Sequence, residues 1–191
     1  RTCRKNTITK MRIKESLSVI IEQYPFWESL NEKLIKEELL CSSNNQRAIN
    51  RGFKPHNTNI VGEKSHCNLS LSPSSQLISQ WVDALLKKQY PSGKARNLDT
   101  IYYDIKMWFA KYNEGDYTKT HNHVPFSVFS FVYYIKCPKG SSPLVFTSSG
   151  KKVKAEEGKL VLFPGSLYHH VPKNKCKDRI VLAGNVLASN Q

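Results

Sequence analysis

The sequence predicts an α+β fold, in which helices come first and a sandwich or barrel of short strands follows. Apolar residues recur at helical spacing before residue 90 and alternate with other residues after Asn97. The chain of 191 residues, 39% of them hydrophobic, is long enough to bury one core. We therefore expect a single domain at 15–191, with helical support at 26–90 and a barrel core at 98–188.

A basic segment opens the chain. Residues 1–14 contain six basic side chains and no acid, so we interpret them as a charged arm that has little reason to fold alone. The formal net charge of +14 is nevertheless shared between the two halves of the chain. A basic surface of this kind favours anionic partners without identifying one.

Two helices and a long connection are predicted in the first half. The short β-branched segment Ser18–Tyr24 predicts a strand, and apolar residues at helical spacing then predict a helix at about 26–40. A Ser at the N-cap and a Pro at the first helical position predict a second helix at 73–90. The Asn- and Ser-rich residues Ser42–Asn68 predict a connection without periodicity.

The second half predicts a series of short strands. Apolar side chains alternate along 101–109, which is the period of a strand with one buried face. Further apolar segments, separated by Gly, Pro, Ser and Lys turns, predict strands at 126–136, 143–147, 151–155, 159–163 and 179–187. This pattern favours two packed sheets or a closed barrel.

Four histidines form two clusters in the strand-rich half, the first at His121 and His123 and the second at His169 and His170. In an extended segment the side chains of residues i and i+2 leave the same face, so the first pair can converge on one ion. Either His169 or His170 would complete a facial set of three ligands with open positions for substrates. The remaining histidines, in the polar connection, are interpreted as surface residues: His56 and His66.

Arg179 comes ten residues after His169 and begins the apolar strand Ile180–Val186. An arginine on a strand next to a metal-binding strand is suited to hold a carboxylate or phosphate through two parallel hydrogen bonds. We therefore treat Arg179 as a candidate anion-binding residue.

Cysteine usage and hydropathy bear on location. The five cysteines are odd in number and contain no C-x-x-C pair, which argues against a disulfide framework or a zinc ribbon and favours a reducing compartment. No apolar run approaches the roughly 18–20 residues of a membrane span, and the first residues include no apolar signal segment. We therefore expect a cytoplasmic protein without a membrane partner.

Four motifs between Tyr103 and Val186 resemble those of one enzyme family. They are Tyr112-Asn113-Glu114-Gly115-Asp116-Tyr117, His121-Asn122-His123-Val124-Pro125-Phe126-Ser127, Val132-Tyr133-Tyr134-Ile135 and Phe163-Pro164-Gly165-Ser166-Leu167-Tyr168-His169. The set resembles the prolyl-hydroxylase-like branch of the iron(II)- and 2-oxoglutarate-dependent oxygenases, and the second motif is similar to the H-x-H-P-x-S core of bacterial and marine-phage members. That family has a double-stranded β-helix, or jelly-roll, core, so the resemblance implies this fold.

The resemblance also implies a function and a set of site residues. The metal would be iron(II), held by His121, His123 and His169. The 2-oxoglutarate site would comprise the carboxylate clamp Arg179, the hydrogen-bond donor Tyr134, the weaker candidate donor Tyr112 and the strand-end residue Asn185. Such an enzyme is a dioxygenase that consumes O2, decarboxylates 2-oxoglutarate to succinate and hydroxylates a prime substrate. Here that substrate is unidentified and could be a peptide, an amino acid, a sugar or a nucleic acid.

One position departs from the family pattern. His123 stands where the family has the acid of its H-x-D/E motif, which would make an iron complex one charge unit more positive. Alternatively His123 is not a ligand and Asp116 or Glu114 reaches the metal, although their spacing breaks the i, i+2 geometry. A register slip of one residue would bring His170 inward in place of His169.

Three rival functions remain open at this point. A three-histidine cupin-type dioxygenase or hydrolase would not use 2-oxoglutarate, and Arg179 would then hold its substrate directly. A basic jelly-roll without catalysis could bind nucleic acid through its charge and through aromatic residues such as Tyr102 and Tyr117, although the sequence has no recognised binding motif. A structural jelly-roll with an accidental histidine pair would have neither activity.

Overall fold

The computed structural model describes residues 17–50, 59–64, 69, 72–89 and 103–188. Within these ranges the chain forms two helices and eleven strands. Several features singled out in the sequence lie outside the described residues, namely the basic arm at 1–14, His56, His66 and Tyr102.

The two helices and the strands of two antiparallel sheets follow one another along the chain in a mixed order. The first elements are β1 (Ile20–Gln23), α1 (Trp27–Asn50), β2 (Ile60–Val61), β3 (Glu63–Lys64) and α2 (Pro73–Gln89). The remaining strands are β4 (Tyr103–Tyr112), β5 (Tyr117–His121), β6 (Phe129–Lys136), β7 (Leu144–Phe146), β8 (Lys152–Val153), β9 (Lys159–Pro164), β10 (His169–Val171) and β11 (Arg179–Ala188). One sheet has the order β1-β9-β6-β11-β4-β3 and the other β2-β5-β10-β7-β8. Together they form a jelly-roll core, as expected.

Helix α1 is longer than the sequence predicted. It continues to Asn50, so the prediction of a connection from residue 42 is wrong for residues 42–50. Side-chain hydrogen bonds support these turns, because the Ser42 hydroxyl donates to Glu38 Oε1 at 2.6 Å and the Ser43 hydroxyl donates to the Leu39 carbonyl at 2.9 Å. Turns of this polar kind present no apolar stripe, so hydrophobic periodicity could not reveal them.

Helix α2 begins as the sequence predicted. The Ser75 backbone N–H donates to Ser72 Oγ at 3.3 Å, which is the contact of an N-cap, and Pro73 occupies the first helical position. The Ser72 hydroxyl itself donates to Glu37 of α1. The cap therefore also ties the two helices together.

The larger sheet buries both of its faces. Its outer face packs against the helices in one core, which includes Leu34, Ile78, Val82, Phe109, Tyr133, Leu160 and Leu182. Its inner face packs against the smaller sheet in a second core, which includes Tyr112, Tyr134, Leu144, Phe163, Val171 and Val181. Because side chains alternate along a strand, each central strand contributes to both cores.

A buried polar contact fixes α1 on the larger sheet. The Tyr133 hydroxyl donates to Asn31 Oδ1 at 2.8 Å, and Asn31 Nδ2 donates to the Ile135 carbonyl at 2.7 Å. Asn31 and Tyr133 are both buried, so each needs the other to satisfy its polar atoms.

Most of the predicted strands are confirmed, but β5 and β10 were not among them. Strand β5 has the polar sequence YTKTH and β10 has three residues, so neither displays an apolar alternation. Strand β6 begins at Phe129 rather than at residue 126, because residues 124–126 form a turn. Each of these two strands carries a histidine of the two clusters. The two-residue strands β2 and β3 were not predicted either, because they lie within the predicted connection Ser42–Asn68.

The described cysteines differ in their bonding state. Cys41 is disulfide-bonded, whereas Cys137 and Cys176 are free thiols. The sequence argument against a disulfide framework therefore missed this bond, because cysteine spacing along a chain does not report proximity in space.

Among the described residues, no helix combines the length and apolar character needed to cross a bilayer.

Candidate metal centre and its pocket

Three histidine side chains meet between the two sheets. His121 ends β5, His169 begins β10 and the two pair directly across these strands. His123 lies two residues beyond β5. One ligand nitrogen from each lies within 4.8 Å of the other two, and within the described part of the chain no other group of three His, Cys, Asp or Glu residues comes this close. A set of this kind can hold one ion from one side.

Backbone carbonyls orient two of the rings. The Nδ1 atoms of His121 and His169 lie 2.8 Å from the carbonyl oxygens of Lys119 and Leu167. Because a carbonyl can only accept, each Nδ1 carries the proton and donates it, which leaves the Nε2 lone pair free. This is the arrangement in which a histidine binds a metal.

Burial keeps the three imidazoles neutral. It lowers the pKa of His123 to about 4 and the pKa of His169 to about 3, and it is also the main cause that lowers the pKa of His121. The positive charge of Lys64 lowers the pKa of His121 and His123 further. Neutral imidazole is the form that binds a metal, so the site is ready for one at neutral pH.

A close backbone contact holds the turn that carries His123. The His123 N–H donates to the Gly165 carbonyl at 2.8 Å. A Cβ atom on Gly165 would lie 2.2 Å from the Ser127 carbonyl oxygen, so a larger residue there would push the turn away. The glycine of the F-P-G segment therefore sets the position of a candidate ligand on a neighbouring element.

The three histidines line a pocket between the sheets together with Arg179. The pocket opens to solvent, and its empty space, including the part outside the enclosed cavity, is about 500 Å³. Much of its wall is apolar, formed by Ile60, Phe131, Val132, Leu144, Phe163, Val171, Val181 and Ala183. The few polar groups in an apolar wall are those that can orient a ligand.

Arg179 is an unusually buried cation. The residue is 1% exposed, and neither its Nε nor its Nη1 has a hydrogen-bond partner among the described residues. The centre of its guanidinium lies 4.5 Å from the ring centroid of Tyr112 and 5.6 Å from that of Tyr134. Aromatic faces offset part of the lost hydration, but a buried guanidinium ordinarily pairs with an acid. An anion in the pocket would supply the missing partner.

The two tyrosines beside Arg179 differ in what their hydroxyls do. The Tyr112 hydroxyl lies 2.7 Å from Thr118 Oγ1, and both residues line the pocket. The Tyr134 hydroxyl is buried without a hydrogen-bond partner in the described part of the chain. Burial raises the pKa of Tyr134 to about 12, although the charge of Arg179 opposes the shift. Tyr134 is therefore a neutral phenol beside Arg179, with a proton to donate.

Asn185 is remote from the clamp. It lies six residues beyond Arg179 on β11, and its Oδ1 accepts a hydrogen bond from the Ser130 hydroxyl at 2.9 Å. Asn185 is not part of the pocket wall, whereas Ser130 is. The structure thus brings together the histidines, Arg179 and the two tyrosines, but it leaves Asn185 at the far end of the strand.

The alternative ligands considered from the sequence lie elsewhere. His170 follows His169 on β10, so it points to the other face, where its Nδ1 is 3.2 Å from Thr147 Oγ1. Glu114 and Asp116 lie in the turn between β4 and β5. Glu114 is exposed, and Asp116 Oδ2 accepts the Asn113 N–H at 2.7 Å. None of the three belongs to the histidine cluster.

Two residues near the metal centre were not anticipated. Trp108 lines the pocket, and its indole Nε1 is buried without a hydrogen-bond partner among the described residues. Lys64 lies on β3 with its Nζ 4.4 Å from the Trp108 ring centroid. Trp108 falls between the apolar positions of an alternating strand and Lys64 falls in the predicted connection, so no sequence signal marked either one.

Comparison with known proteins identifies the fold. No protein-family model matches the sequence, and no curated protein does. A prolyl-4-hydroxylase from Pseudomonas putida is similar in structure, with 18% identity over 92% of this chain and 95% of that chain and a TM-score of 0.65. A viral collagen prolyl hydroxylase from Paramecium bursaria Chlorella virus-1, solved as a 2-oxoglutarate complex, has 16% identity over 90% and 96% and a TM-score of 0.63.

A third similar structure comes from Trichoplax adhaerens. It is a prolyl hydroxylase in complex with a peptide fragment of the oxygen degradation domain of hypoxia inducible factor, with 15% identity over 91% of this chain and 87% of that chain and a TM-score of 0.62. At these identities the likeness establishes the architecture. The chain has the jelly-roll fold of the prolyl hydroxylases, as the sequence motifs implied.

Proposed function

We propose that the chain is an Fe(II)- and 2-oxoglutarate-dependent dioxygenase that hydroxylates a substrate bound in the pocket. The observation that carries the proposal is the burial of Arg179 without an acidic partner among the described residues, in the same pocket as three convergent histidines. A metal-chelating dicarboxylate is a ligand that would satisfy both features at once. The shared fold with prolyl hydroxylases supports this proposal.

In this proposal each residue has a defined task. His121, His123 and His169 would hold the iron through neutral imidazoles, and Arg179 would bind the far carboxylate of 2-oxoglutarate through two parallel hydrogen bonds. Tyr134 would donate a third hydrogen bond to that carboxylate. Tyr112 would position Arg179 by packing its ring against the guanidinium, because its hydroxyl already contacts Thr118.

When bound, iron and 2-oxoglutarate would supply the oxidative chemistry. One oxygen atom of O2 would enter succinate, with release of carbon dioxide, and the other would enter the product as a hydroxyl group. The protein contributes ligands on one side of the ion and an apolar wall that excludes water from the reacting centre.

A three-histidine dioxygenase that does not use 2-oxoglutarate is the second candidate. The ligand set favours it in one respect, because all three candidate ligands are histidines and none is an acid. In that case Arg179 would hold the substrate itself. The two candidates differ in whether 2-oxoglutarate binds.

The test is a titration with 2-oxoglutarate of the Fe(II)-loaded protein without oxygen, followed through the metal-to-ligand charge-transfer band. We expect the wild type to bind and Arg179→Met to bind on the order of 30-fold or more weakly, since loss of one partner of a buried charge pair costs about 2–5 kcal/mol. Iron content should be equal in the two proteins. The matched control is Arg47→Met, which removes an exposed arginine from the last turn of α1.

Two results would contradict the proposal. If the wild type does not bind 2-oxoglutarate, or if Arg179→Met binds it equally well, the second candidate is favoured. With oxygen present, the wild type should convert 2-oxoglutarate to succinate, and His121→Ala should not.

A further inference from the structure

The indole N–H of Trp108 is buried in the structure. Its Nε1 has no hydrogen-bond partner among the described residues, and Trp108 lines the pocket together with the three histidines and Arg179. A buried indole N–H ordinarily has a partner, because a donor that loses water without gaining an acceptor costs free energy. An acceptor inside the pocket would remove this cost.

The sheet offers this N–H no side-chain acceptor in its own row of residues. Trp108 pairs with Ala183 on β11. Ala183 pairs in turn with Val132 on β6, and Val132 pairs with Val161 on β9. Residues paired across antiparallel strands lie side by side, so the neighbours of Trp108 in this row are all apolar. The pocket that Trp108 lines is the space in which a ligand can supply the acceptor.

The row of Trp108 is separated from the Arg179 clamp along the strands. Tyr112 pairs with Arg179 at one end of β4 and β11. Trp108 lies four residues before Tyr112, which corresponds to roughly 13 Å of strand. The donor of Trp108 is therefore placed to serve a different part of a bound ligand from the part that Arg179 would hold.

The same row is close to the level of the metal ligands. The ring centroid of His169 is 4.8 Å from that of Phe163. Phe163 lies two residues after Val161 on β9, so only roughly 7 Å of strand separates it from the row of Trp108. A ligand that extends from Arg179 towards the histidines therefore brings its metal-side end near the level of Trp108.

We propose that Trp108 Nε1 donates a hydrogen bond to the metal-side carboxylate of 2-oxoglutarate, an inference that rests on the proposed function. The far carboxylate would bind Arg179 and Tyr134, whereas the metal-side carboxylate keeps an oxygen that is free to accept from a neutral donor. A hydrogen bond to an ionised acceptor is stronger than one between neutral groups. Trp108 is thus a co-substrate-binding residue that orients the keto acid at the metal.

The first measurement follows the indole N–H groups by nuclear magnetic resonance. The protein is labelled with nitrogen-15 in tryptophan and loaded with diamagnetic Zn(II), and the Trp108 signal is assigned by its loss in Trp108→Phe. Saturation with 2-oxoglutarate should shift the proton of this signal downfield, because a bond to a carboxylate deshields it. Trp27 begins α1 and Trp81 lies on α2, so their signals should stay in place as internal controls.

The second measurement is the affinity of the Fe(II)-loaded proteins for 2-oxoglutarate without oxygen. We expect Trp108→Phe to bind about tenfold more weakly than the wild type, because phenylalanine keeps an aromatic ring in the wall but has no donor. The charge-transfer band of its complex should also move, since the lost hydrogen bond changes the charge on the metal-side carboxylate. The matched control is Trp81→Phe, which should bind as the wild type does because Trp81 packs against Tyr24 and Tyr133 on the helix side of the larger sheet.

The outcomes separate this inference from the proposed function. If the wild type binds 2-oxoglutarate while the Trp108 signal stays in place, the N–H serves another acceptor and the inference is wrong, although the proposed function stands. Equal affinities of Trp108→Phe and the wild type would overturn it in the same way. If the wild type does not bind 2-oxoglutarate, the proposed function fails and this inference fails with it.

Discussion

Replacement of Arg179 by methionine should stabilise the protein without 2-oxoglutarate and abolish stabilisation by 2-oxoglutarate. The guanidinium is 1% exposed and two of its nitrogens lack partners in the described structure, so the folded state bears a desolvation cost that methionine would not have. Replacement of a buried ionic group by an apolar one stabilises by about 1–4 kcal/mol. Loss of the cation–π contacts with Tyr112 and Tyr134 removes about 0.5–2 kcal/mol of that gain.

The net gain of about 1–2 kcal/mol corresponds to a rise of about 2–8 °C in the unfolding midpoint for a domain of this size. Saturation at one hundred times the Kd should stabilise the wild type by about 2.7 kcal/mol and leave Arg179→Met unchanged. The assay is thermal unfolding of the Zn(II)-loaded proteins with and without 2-oxoglutarate, with Arg47→Met as the control. A lower midpoint for Arg179→Met without ligand would show that Arg179 has a structural role, and an equal response of both proteins to 2-oxoglutarate would refute its role as the clamp.

Three further predictions concern the ligands and the framework. His169→Ala should lose bound iron in metal analysis, whereas His123→Asp should retain it because a carboxylate also binds iron(II); unchanged iron in His169→Ala would refute the assignment. Gly165→Ala should weaken metal binding by about tenfold, because its Cβ would displace the turn that carries His123, whereas Ser166→Ala should bind the metal as the wild type does. The metal affinities are measured by competition with a chelator, and equal affinities of Gly165→Ala and the wild type would contradict this prediction. Asn31→Ala should lower the free energy of unfolding by about 1–3 kcal/mol, because it leaves the Tyr133 hydroxyl buried and unpaired. In a double-mutant cycle measured by urea unfolding, the loss of stability caused by Asn31→Ala should be much smaller when Tyr133 is already phenylalanine. Additive losses of stability would disprove the coupling.

Sequence patterns predicted the features that depend on interactions between residues close to each other in the sequence. The Ser72-Pro73 start of α2, the alternation along β4 and the spacing of His121 and His123 each reflect short-range geometry, and each has its expected counterpart in the structure. The choice of His169 over His170 was open in the sequence. It was decided by the register of β10 against β5, which is a long-range property.

Sequence reasoning missed residues whose position and surroundings are determined by contacts between segments that are distant in the sequence. Lys64 reaches the ring of Trp108 because a two-residue strand pairs with β4, and nothing in so short a segment indicates that pairing. Trp108 has an ordinary sequence context, and only the placement of the surrounding atoms shows that its N–H has no partner in the described part of the chain. Residues 42–50 are mostly polar in sequence, so no apolar periodicity distinguished these helical turns from a loop.

The two-faced central strand β11 implies that tolerance to substitution alternates from one residue to the next. Arg179, Val181 and Ala183 face the pocket, whereas Ile180, Leu182 and Val186 face the core under the helices. In a library of single substitutions along β11, changes at the first set would alter which molecules are bound while the protein still accumulates in cells. Changes at the second set would lower its abundance. Selection for a new substrate could therefore act on every second residue of this strand without loss of the scaffold.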